Sequence, residues 1–197
     1  LAWGRCVWGD RTVRFAKSRW DAPVVDLATL AEGDGVRAAA RRWVDRTRRP
    51  KAVVATQTGV LVPAADEAGV WVPCVPALAV VPHDPDDLWR VAAAIASPVA
   101  SAWMARRAAG TGLDRHVLRV SGPALAALPL PVDAAGWDEA AAALREHAAA
   151  PGDAGIERFV AAAGRAYDAP PPVTGWWWER TRRGRNGWTR GRPGGVA

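Results

Sequence analysis

The most constraining feature of the sequence is a series of turn-forming residues that divides the stretch from Lys51 to Pro82 into short apolar runs. Four runs are rich in β-branched or other apolar residues: Ala52–Ala55, Val60–Val62, Val70–Val72 and Ala77–Val81. Glycine or proline separates them, at Gly59, Pro63, Gly69, Pro73, Pro76 and Pro82. Such runs between turn residues are typical of short strands. The pattern predicts a small, mostly antiparallel sheet, with Pro73 and Pro76 on edge strands or at a bulge.

After Pro82 the apolar period changes to that of a helix. Leu88, Val91, Ala92 and Ile95 share one helical face, and Asp84-Pro85 is a suitable start for the helix that carries them. Ser97-Pro98 repeats this signal and predicts a second helix over Val99–Ala109. A strand, a short helix and two Ala-rich helices are predicted next, at His116–Val120, from Ser121 and Pro123, at Trp137–Ala149 and at Asp153–Tyr167. The predicted fold class is α+β, a small mostly antiparallel sheet followed by helices.

The two ends of the chain are less regular in pattern. Residues 1–50 are expected to be a basic remnant or linker, with a hairpin from Arg5–Trp8 to Thr12–Phe15 and a helix over Val36–Val44. Residues 51–167 are the predicted α+β domain. Residues 168–197 form a tail rich in proline, tryptophan and arginine, in which Pro170–Pro172 is expected to end regular structure and the part beyond Arg180 to be irregular.

Length and cysteine content narrow the class of protein. The 197 residues, half of them apolar, suffice for one ordinary domain plus a tail, or for two very small domains. Cys6 and Cys74 are too few for a disulfide framework, and no apolar run approaches the ~20 residues of a membrane span. Without a signal-peptide pattern, a cytoplasmic protein with no membrane partner is expected. The chain opens on Leu1 instead of Met, so we expect a fragment of a longer protein.

Positive charge is concentrated at the two ends. Residues 1–50 carry eleven basic and six acidic side chains, and residues 176–197 carry six arginines against Glu179, whereas residues 51–175 have nine basic and thirteen acidic groups. Basic ends around a mildly acidic body suit a polyanionic partner, although a solvated surface with a basic tail gives the same pattern. Arginine outnumbers lysine by 24 to 2, as in GC-rich coding sequences, which weakens the meaning of any single arginine.

No catalytic triad and no metal-ligand motif is evident in the sequence. His83, His116 and His147 are far apart in sequence, and the two cysteines have no metal-ligand spacing. The glycine pairs Gly33-Asp34-Gly35 and Gly110-Thr111-Gly112 are better interpreted as turns than as cofactor loops, since the second follows a predicted helix instead of a strand. On these residues alone we predict neither catalytic nor metal-binding residues and expect a non-enzymatic domain.

An ordered set of motifs over residues 50–180 resembles a known family. They are Pro50-Lys51 before a strand, the strand pair leading to Pro82, the helix Leu88–Ala96 with Ser97-Pro98, Ala102–Arg107 with Gly110 and Gly112, Leu118–Ser121, Leu128-Pro129-Leu130-Pro131, Trp137-Asp138, Tyr167 and Trp176–Arg180. In this order they are similar to the C-terminal target-recognition region of bacterial N6-adenine DNA methyltransferases of restriction–modification systems. The resemblance implies a DNA-binding module of such an enzyme, or of a related phage-defence system, with double-stranded DNA as its partner.

The sequence departs from the family where the methylating chemistry lies. Ala96 stands where the family often has Asn. The Asn/Asp-Pro-Pro-aromatic motif that holds the target adenine is missing. The single asparagine, Asn186, precedes Gly187, and Asp84-Pro85-Asp86 lacks the second proline and the aromatic residue. A glycine loop for S-adenosylmethionine is also not identifiable. The resemblance therefore implies no cofactor in this chain, S-adenosylmethionine in the full-length parent enzyme, and a catalytic domain upstream or on a separate chain. The enzyme assignment of this chain stays uncertain.

A recognition module needs cations for phosphates and hydrogen-bonding side chains for base edges. The candidate DNA-binding residues are Lys51, Gln57, Arg106, Arg107, Arg115, His116 and Arg119. Gln57 is a candidate for reading adenine, and an arginine or His116 for reading guanine, while Thr56-Gln57-Thr58 is also consistent with a plain hairpin turn. Arg106 and Arg107 point ~100° apart on a helix, so at most one faces a given groove, and Arg106 is also placed to cover Trp103.

Two alternatives stay open at this point. The chain is also consistent with a non-catalytic specificity and assembly subunit, or with an inactive truncated remnant of such an enzyme. Trp176–Trp178 suit stacking on bases, but docking of the C-terminal segment onto the domain is the simpler interpretation.

Overall fold

The strand Lys51–Ala55 (β2) is the centre around which the sheet is built. In the computed structural model, which describes residues 5–6, 36–73, 77–107 and 117–188, β2 lies between β4 (Ala64–Asp66) and β6 (Ala77–Val80) in the antiparallel order β4-β2-β6. Its register pairs Lys51 with Asp66 and Val54 with Leu78. Ala52, Val53 and Val54 are all buried, as expected for a central strand covered on both faces.

Two smaller ladders accompany this sheet. The strand β1 (Arg5–Cys6) pairs in parallel with β5 (Trp71–Val72), and β3 (Gln57–Thr58) pairs antiparallel with β7 (Leu118–Arg119). The α+β class predicted from sequence is confirmed. The predicted strand Val60–Val62 is not regular structure, whereas Gln57–Thr58, predicted as a turn, forms a strand because distant residues pair with it. The predicted hairpin to Phe15 lies outside the described residues, apart from Arg5–Cys6.

Helices follow the local signals closely. α1 covers Val36–Thr47, α2 Leu88–Ala96, α3 Pro98–Arg107, α4 Gly122–Ala126, α5 Ala134–Ala149 and α6 Asp153–Ala166, and one 3-10 turn, Pro85–Asp87, precedes α2. The side chain of Asp84 accepts a hydrogen bond from the Asp86 N–H at 3.0 Å, and that of Ser97 accepts one from the Ala100 N–H at 3.0 Å. These caps satisfy N–H groups at the helix starts that the helix itself leaves unpaired.

Regular structure extends further toward the C-terminus than the sequence predicts. The helix α7 runs over Pro171–Trp188, so the expectation that Pro170–Pro172 ends regular structure is wrong. Proline is tolerated in the first turn of a helix, where its missing N–H has no intrahelical partner to lose. Trp177 is only 3% exposed and packs with residues of α2, α5 and α6, which confirms docking of this segment onto the domain.

The helix α2 joins the two parts of the core. Leu88, Ala92 and Ile95 pack with the sheet, α3 and β7, whereas Ala93 and Ala96 pack with α5, α6 and Trp177. Apart from Arg90, every residue of α2 is apolar, and Leu88 and residues 92–96 are buried. The helices on one side of α2 and the strands on the other therefore form one continuous packed body.

No single helix in the described ranges has the length and apolar character needed to cross a membrane. Only α2 with its preceding turn and α3, taken together across a bend of 57° at Ser97, reach that length and composition.

Candidate nucleic-acid interface

The antiparallel ladder of β3 and β7 places two of the predicted recognition residues next to each other. Gln57 is directly opposite Arg119, and Thr58 is opposite Leu118. The Val120 N–H extends the ladder with a hydrogen bond to the Thr56 carbonyl at 2.8 Å. Thr58 and Leu118 are buried, while Gln57 and Arg119 are exposed. Because side chains alternate across a strand, the amide and the guanidinium stand side by side on the solvent face.

A cleft of about 350 Å³ opens beside this ladder. Arg119 of β7 and Arg107, at the C-terminal end of α3, both line it. The remaining lining residues come from α3, from β7 and from the start of α4: Met104, Val120, Ser121, Pro123 and Ala124. The structure thus brings two predicted arginines, distant in sequence, to one concave surface.

Arg107 is held in place by an aromatic neighbour. Its guanidinium carbon lies 4.8 Å from the centre of the Trp103 ring, a cation–π contact one helical turn back along α3. The sequence assigned the covering of Trp103 to Arg106, whereas Arg107 has that role. Arg106 is exposed on α3 and is not among the residues that line the cleft, which agrees with the expectation that only one of the pair faces a given groove.

The walls of the cleft rest on the core. The Leu61 N–H donates to the Ser101 hydroxyl at 3.0 Å, which links α3 to the segment that follows β3. Met104, Leu118 and Val120 belong to the same apolar cluster as Leu61. Both Ser101 and Met104 are fully buried, so the arginines stand on a packed support instead of a free loop.

The C-terminal helix passes next to the same strand. The Arg180 Nε donates to the Gly59 carbonyl at 3.0 Å, and its guanidinium lies over the Trp176 ring at 4.9 Å. Gly59 is two residues after Gln57. α7 also packs against α3. The sequence pattern gave no sign of this contact, since it joins residues 121 positions apart.

Lys51 is not available to DNA, in contrast to its prediction as a phosphate contact. Its side chain is 0% exposed and pairs with the buried carboxylate of Asp66. Its ammonium also donates to the Arg49 carbonyl at 3.2 Å. Burial lowers the pKa of Lys51, and the hydrogen bond and charge of Asp66 oppose that shift. A fully enclosed ammonium that is paired with a carboxylate has no surface to offer a phosphate.

The remaining predicted DNA-binding residues fall into those that the structure describes and those that it does not. Gln57 is opposite Arg119 in the ladder, Arg119 and Arg107 line one cleft, and Arg106 is exposed on α3. Gln57 is not among the residues that line the cleft. Arg115 and His116 lie outside the described residues. Within the described ranges, no three side chains of His, Cys, Asp or Glu cluster in a way that would hold a metal ion.

Comparison of the chain with models of known protein families gives no match, and comparisons with curated proteins and with solved structures give none either. What the chain does is therefore inferred from its own residues and their geometry. The fold and the cleft define an α+β protein with a basic, hydrogen-bonding surface of concave shape.

Proposed function

We propose that this chain is the DNA-binding target-recognition module of an adenine-N6 DNA methyltransferase in a restriction–modification or phage-defence system. The observation that carries the proposal is the pairing of Gln57 with Arg119 in the ladder of β3 and β7, with Arg107 lining the same cleft as Arg119. The motif resemblance over residues 50–180 supports it from the sequence side.

The chemistry of Gln57 and Arg119 suits base reading. A glutamine amide presents one donor and one acceptor, which match N6 and N7 of adenine in the major groove. An arginine guanidinium presents two parallel donors, which match O6 and N7 of guanine. Two such side chains in adjacent strands would address neighbouring base pairs, and short paired strands are a known way to enter the major groove.

Arg107 suits the phosphate backbone. It is exposed at the end of α3, and its contact with Trp103 limits the rotamers that it would lose on binding. A phosphate contact positions the duplex and contributes no sequence information by itself. The excess of positive charge, +6 over the chain, supplies the sequence-independent part of the affinity.

Methyl transfer is the task of a partner in this proposal. An adenine methyltransferase extrudes its target base into a pocket, and a recognition module grips the flanking duplex while it does so. The chain lacks the Asn/Asp-Pro-Pro-aromatic motif, so the base pocket and S-adenosylmethionine belong to a catalytic domain upstream or on another chain.

The test is titration of labelled duplex DNA over a series of salt concentrations. The wild-type chain is expected to bind with a steep salt dependence. The double variant Arg107→Gln/Arg119→Gln is expected to lose about 0.9 of the slope of log affinity against log salt, for the phosphate contact of Arg107, and to lose preference at the base pair that Arg119 reads. A matched control is Arg145→Gln/Arg158→Gln, which removes two exposed arginines that form ion pairs with Glu67 and Glu146. Absence of binding at low salt, or equal slopes in both double variants, would refute the proposal. Tight binding of S-adenosylmethionine by this chain alone, measured by calorimetry, would refute the assignment of the cofactor to a partner.

A further inference from the structure

The exposed face of α1 carries a row of arginines. Val44 and Thr47 of this helix are buried, whereas Arg42 and Arg46 are exposed at an i, i+4 spacing that places them on one face. Arg49 is also exposed and follows three positions later, just after the helix. We name Arg42, Arg46 and Arg49 the α1 arginine row.

The carboxylate closest to the row in sequence pairs with another residue. Asp45 is the single acidic residue between positions 36 and 65 of the sequence. Both oxygens of its carboxylate accept from the Arg41 Nε at 3.0 Å, so its charge is compensated by a residue outside the row. Within the part of the chain that the structure describes, the three arginines of the row have no carboxylate partner.

The C-terminal end of α1 is fixed to the sheet. Gly69 has a φ of +65°, and a β-carbon placed there would lie 2.6 Å from the Arg49 carbonyl carbon. The buried Lys51 ammonium donates to the Arg49 carbonyl, and Val44 packs against Val72 of β5. A charged row on a helix held in this way is presented in one orientation, which lowers the entropy lost on binding.

The row is separate from the cleft. Arg49 precedes β2, and Gln57 follows it at the other end. A strand of five residues spans roughly 16 Å, so Arg49 and Gln57 lie at opposite ends of β2.

We infer that the α1 arginine row is a second contact with the phosphate backbone of duplex DNA. Arg42 and Arg46 lie four positions apart in α1, roughly 6 Å at the helical rise, and Arg49 follows just beyond the helix end at Thr47. A duplex carries a regular series of phosphate charges along each strand, so neighbouring phosphates are the complementary partner for three guanidiniums in a row.

The composition of the face favours a duplex over a membrane. A helix that lies on a lipid surface buries an apolar face of several residues. Among the α1 side chains that the structure describes, Trp43 is the one large apolar residue on the exposed side, and it is 41% exposed. The identity of the polyanion rests on the proposed function, while the position of the contact does not depend on the cleft.

The test compares two triple variants with the same change in net charge. Arg42→Gln/Arg46→Gln/Arg49→Gln removes the row, and Arg145→Gln/Arg158→Gln/Arg165→Gln removes three exposed arginines that are ion-paired with Glu67, Glu146 and Glu139. In a salt titration with the same labelled duplex, the first variant is expected to lose about 2.7 of the slope of log affinity against log salt, and the control much less. Chemical unfolding of both variants checks that each remains folded at the salt concentrations used.

The outcomes separate this inference from the proposed function. Equal salt slopes for the two triple variants would refute the role of the α1 arginine row in DNA binding. The cleft would still be tested separately by the Arg107→Gln/Arg119→Gln variant. No duplex binding by the wild-type chain would overturn both. Loss of binding to anionic phospholipid vesicles in the row variant, with duplex affinity unchanged, would also overturn the inference and assign the row to a membrane.

Discussion

Lys51 and Asp66 form an ion pair enclosed by protein, with side chains that are 0% and 2% exposed. The two residues are opposite each other in the antiparallel pair of β2 and β4. The Asp66 carboxylate also accepts hydrogen bonds from the backbone N–H groups of Val70 and Trp71, at 3.2 and 2.8 Å. One carboxylate therefore neutralises the ammonium and shapes the turn that leads into β5.

Substitution of Lys51 should unfold the domain more readily without changing its binding surface. Lys51→Met is expected to lower the free energy of unfolding by about 3–5 kcal/mol, because it leaves the Asp66 carboxylate buried without its cation. Urea denaturation measures this loss. Arg165→Gln, at an exposed ion pair with Glu139, is the control and should cost less than about 1 kcal/mol. If folded Lys51→Met had a lower salt slope for DNA binding than the wild-type chain, Lys51 would contact phosphate after all.

Gln57 and Arg107 should differ in the kind of binding that each supports. Gln57→Ala is expected to relax preference at one base pair, by about 1–3 kcal/mol, and to leave the salt slope unchanged. Arg107→Ala is expected to weaken binding to all sequences alike and to lower the slope by about 0.9. Selection from a randomised duplex library, followed by titration at several salt concentrations, distinguishes the two. A uniform loss with Gln57→Ala would contradict a reading role.

Gly69 should tolerate no side chain. Its φ is +65°, and a β-carbon would lie 2.6 Å from the Arg49 carbonyl carbon and 2.9 Å from the Pro50 nitrogen. These are backbone atoms that cannot move aside, so Gly69→Ala is expected to cost at least about 2 kcal/mol. The same change at Gly175, inside α7 with no atom within 4 Å of the new methyl group, should stabilise by about 0.5–1 kcal/mol. Thermal unfolding of the pair would contradict the geometry if both changes had the same sign.

Tyr167 offers a probe of the packed interior, because it is the single tyrosine of the chain. Burial raises the pKa of Tyr167 to about 12, and a hydrogen bond with Ser97 opposes that shift in part. Its hydroxyl also donates to the Pro129 carbonyl at 2.9 Å. Since the folded pKa lies above the unfolded value of about 10, the protonated phenol stabilises the fold fully below pH 10, and this contribution is lost as the pH rises toward 12.

Ultraviolet titration of the phenolate measures this directly. The folded chain should ionise near pH 12, and the same chain in denaturant near pH 10. Ionisation of the folded chain at the ordinary value would show that Tyr167 is open to solvent.

The helices could be predicted because their signals are local. Asp84, Ser97 and Ser121 each accept a hydrogen bond from an N–H two or three residues ahead, so the whole interaction lies within a few sequence positions. The apolar period of α2 is likewise visible within nine residues. Caps and periodicity therefore place α2, α3 and α4 from sequence alone.

The site was predicted only in part because its geometry is non-local. Gln57 was singled out for its chemistry, but nothing in Thr56-Gln57-Thr58 indicates that residues 118–120 pair with it. The burial of Lys51 depends in the same way on Asp66, fifteen residues later. One signal of this burial was available: Lys51 is the first residue of a strand whose other residues are all apolar, as expected of a buried strand.

The ladder of Gln57 and Arg119 joins positions 62 apart in the chain, and α2 and α3 lie between its two strands. Closing so long a loop costs conformational entropy that two hydrogen-bonded pairs cannot offset without the surrounding core. A chain that ends before Leu118 therefore cannot form this ladder. The surface that presents Gln57 and Arg119 side by side is complete only when residues 118–120 have joined the core.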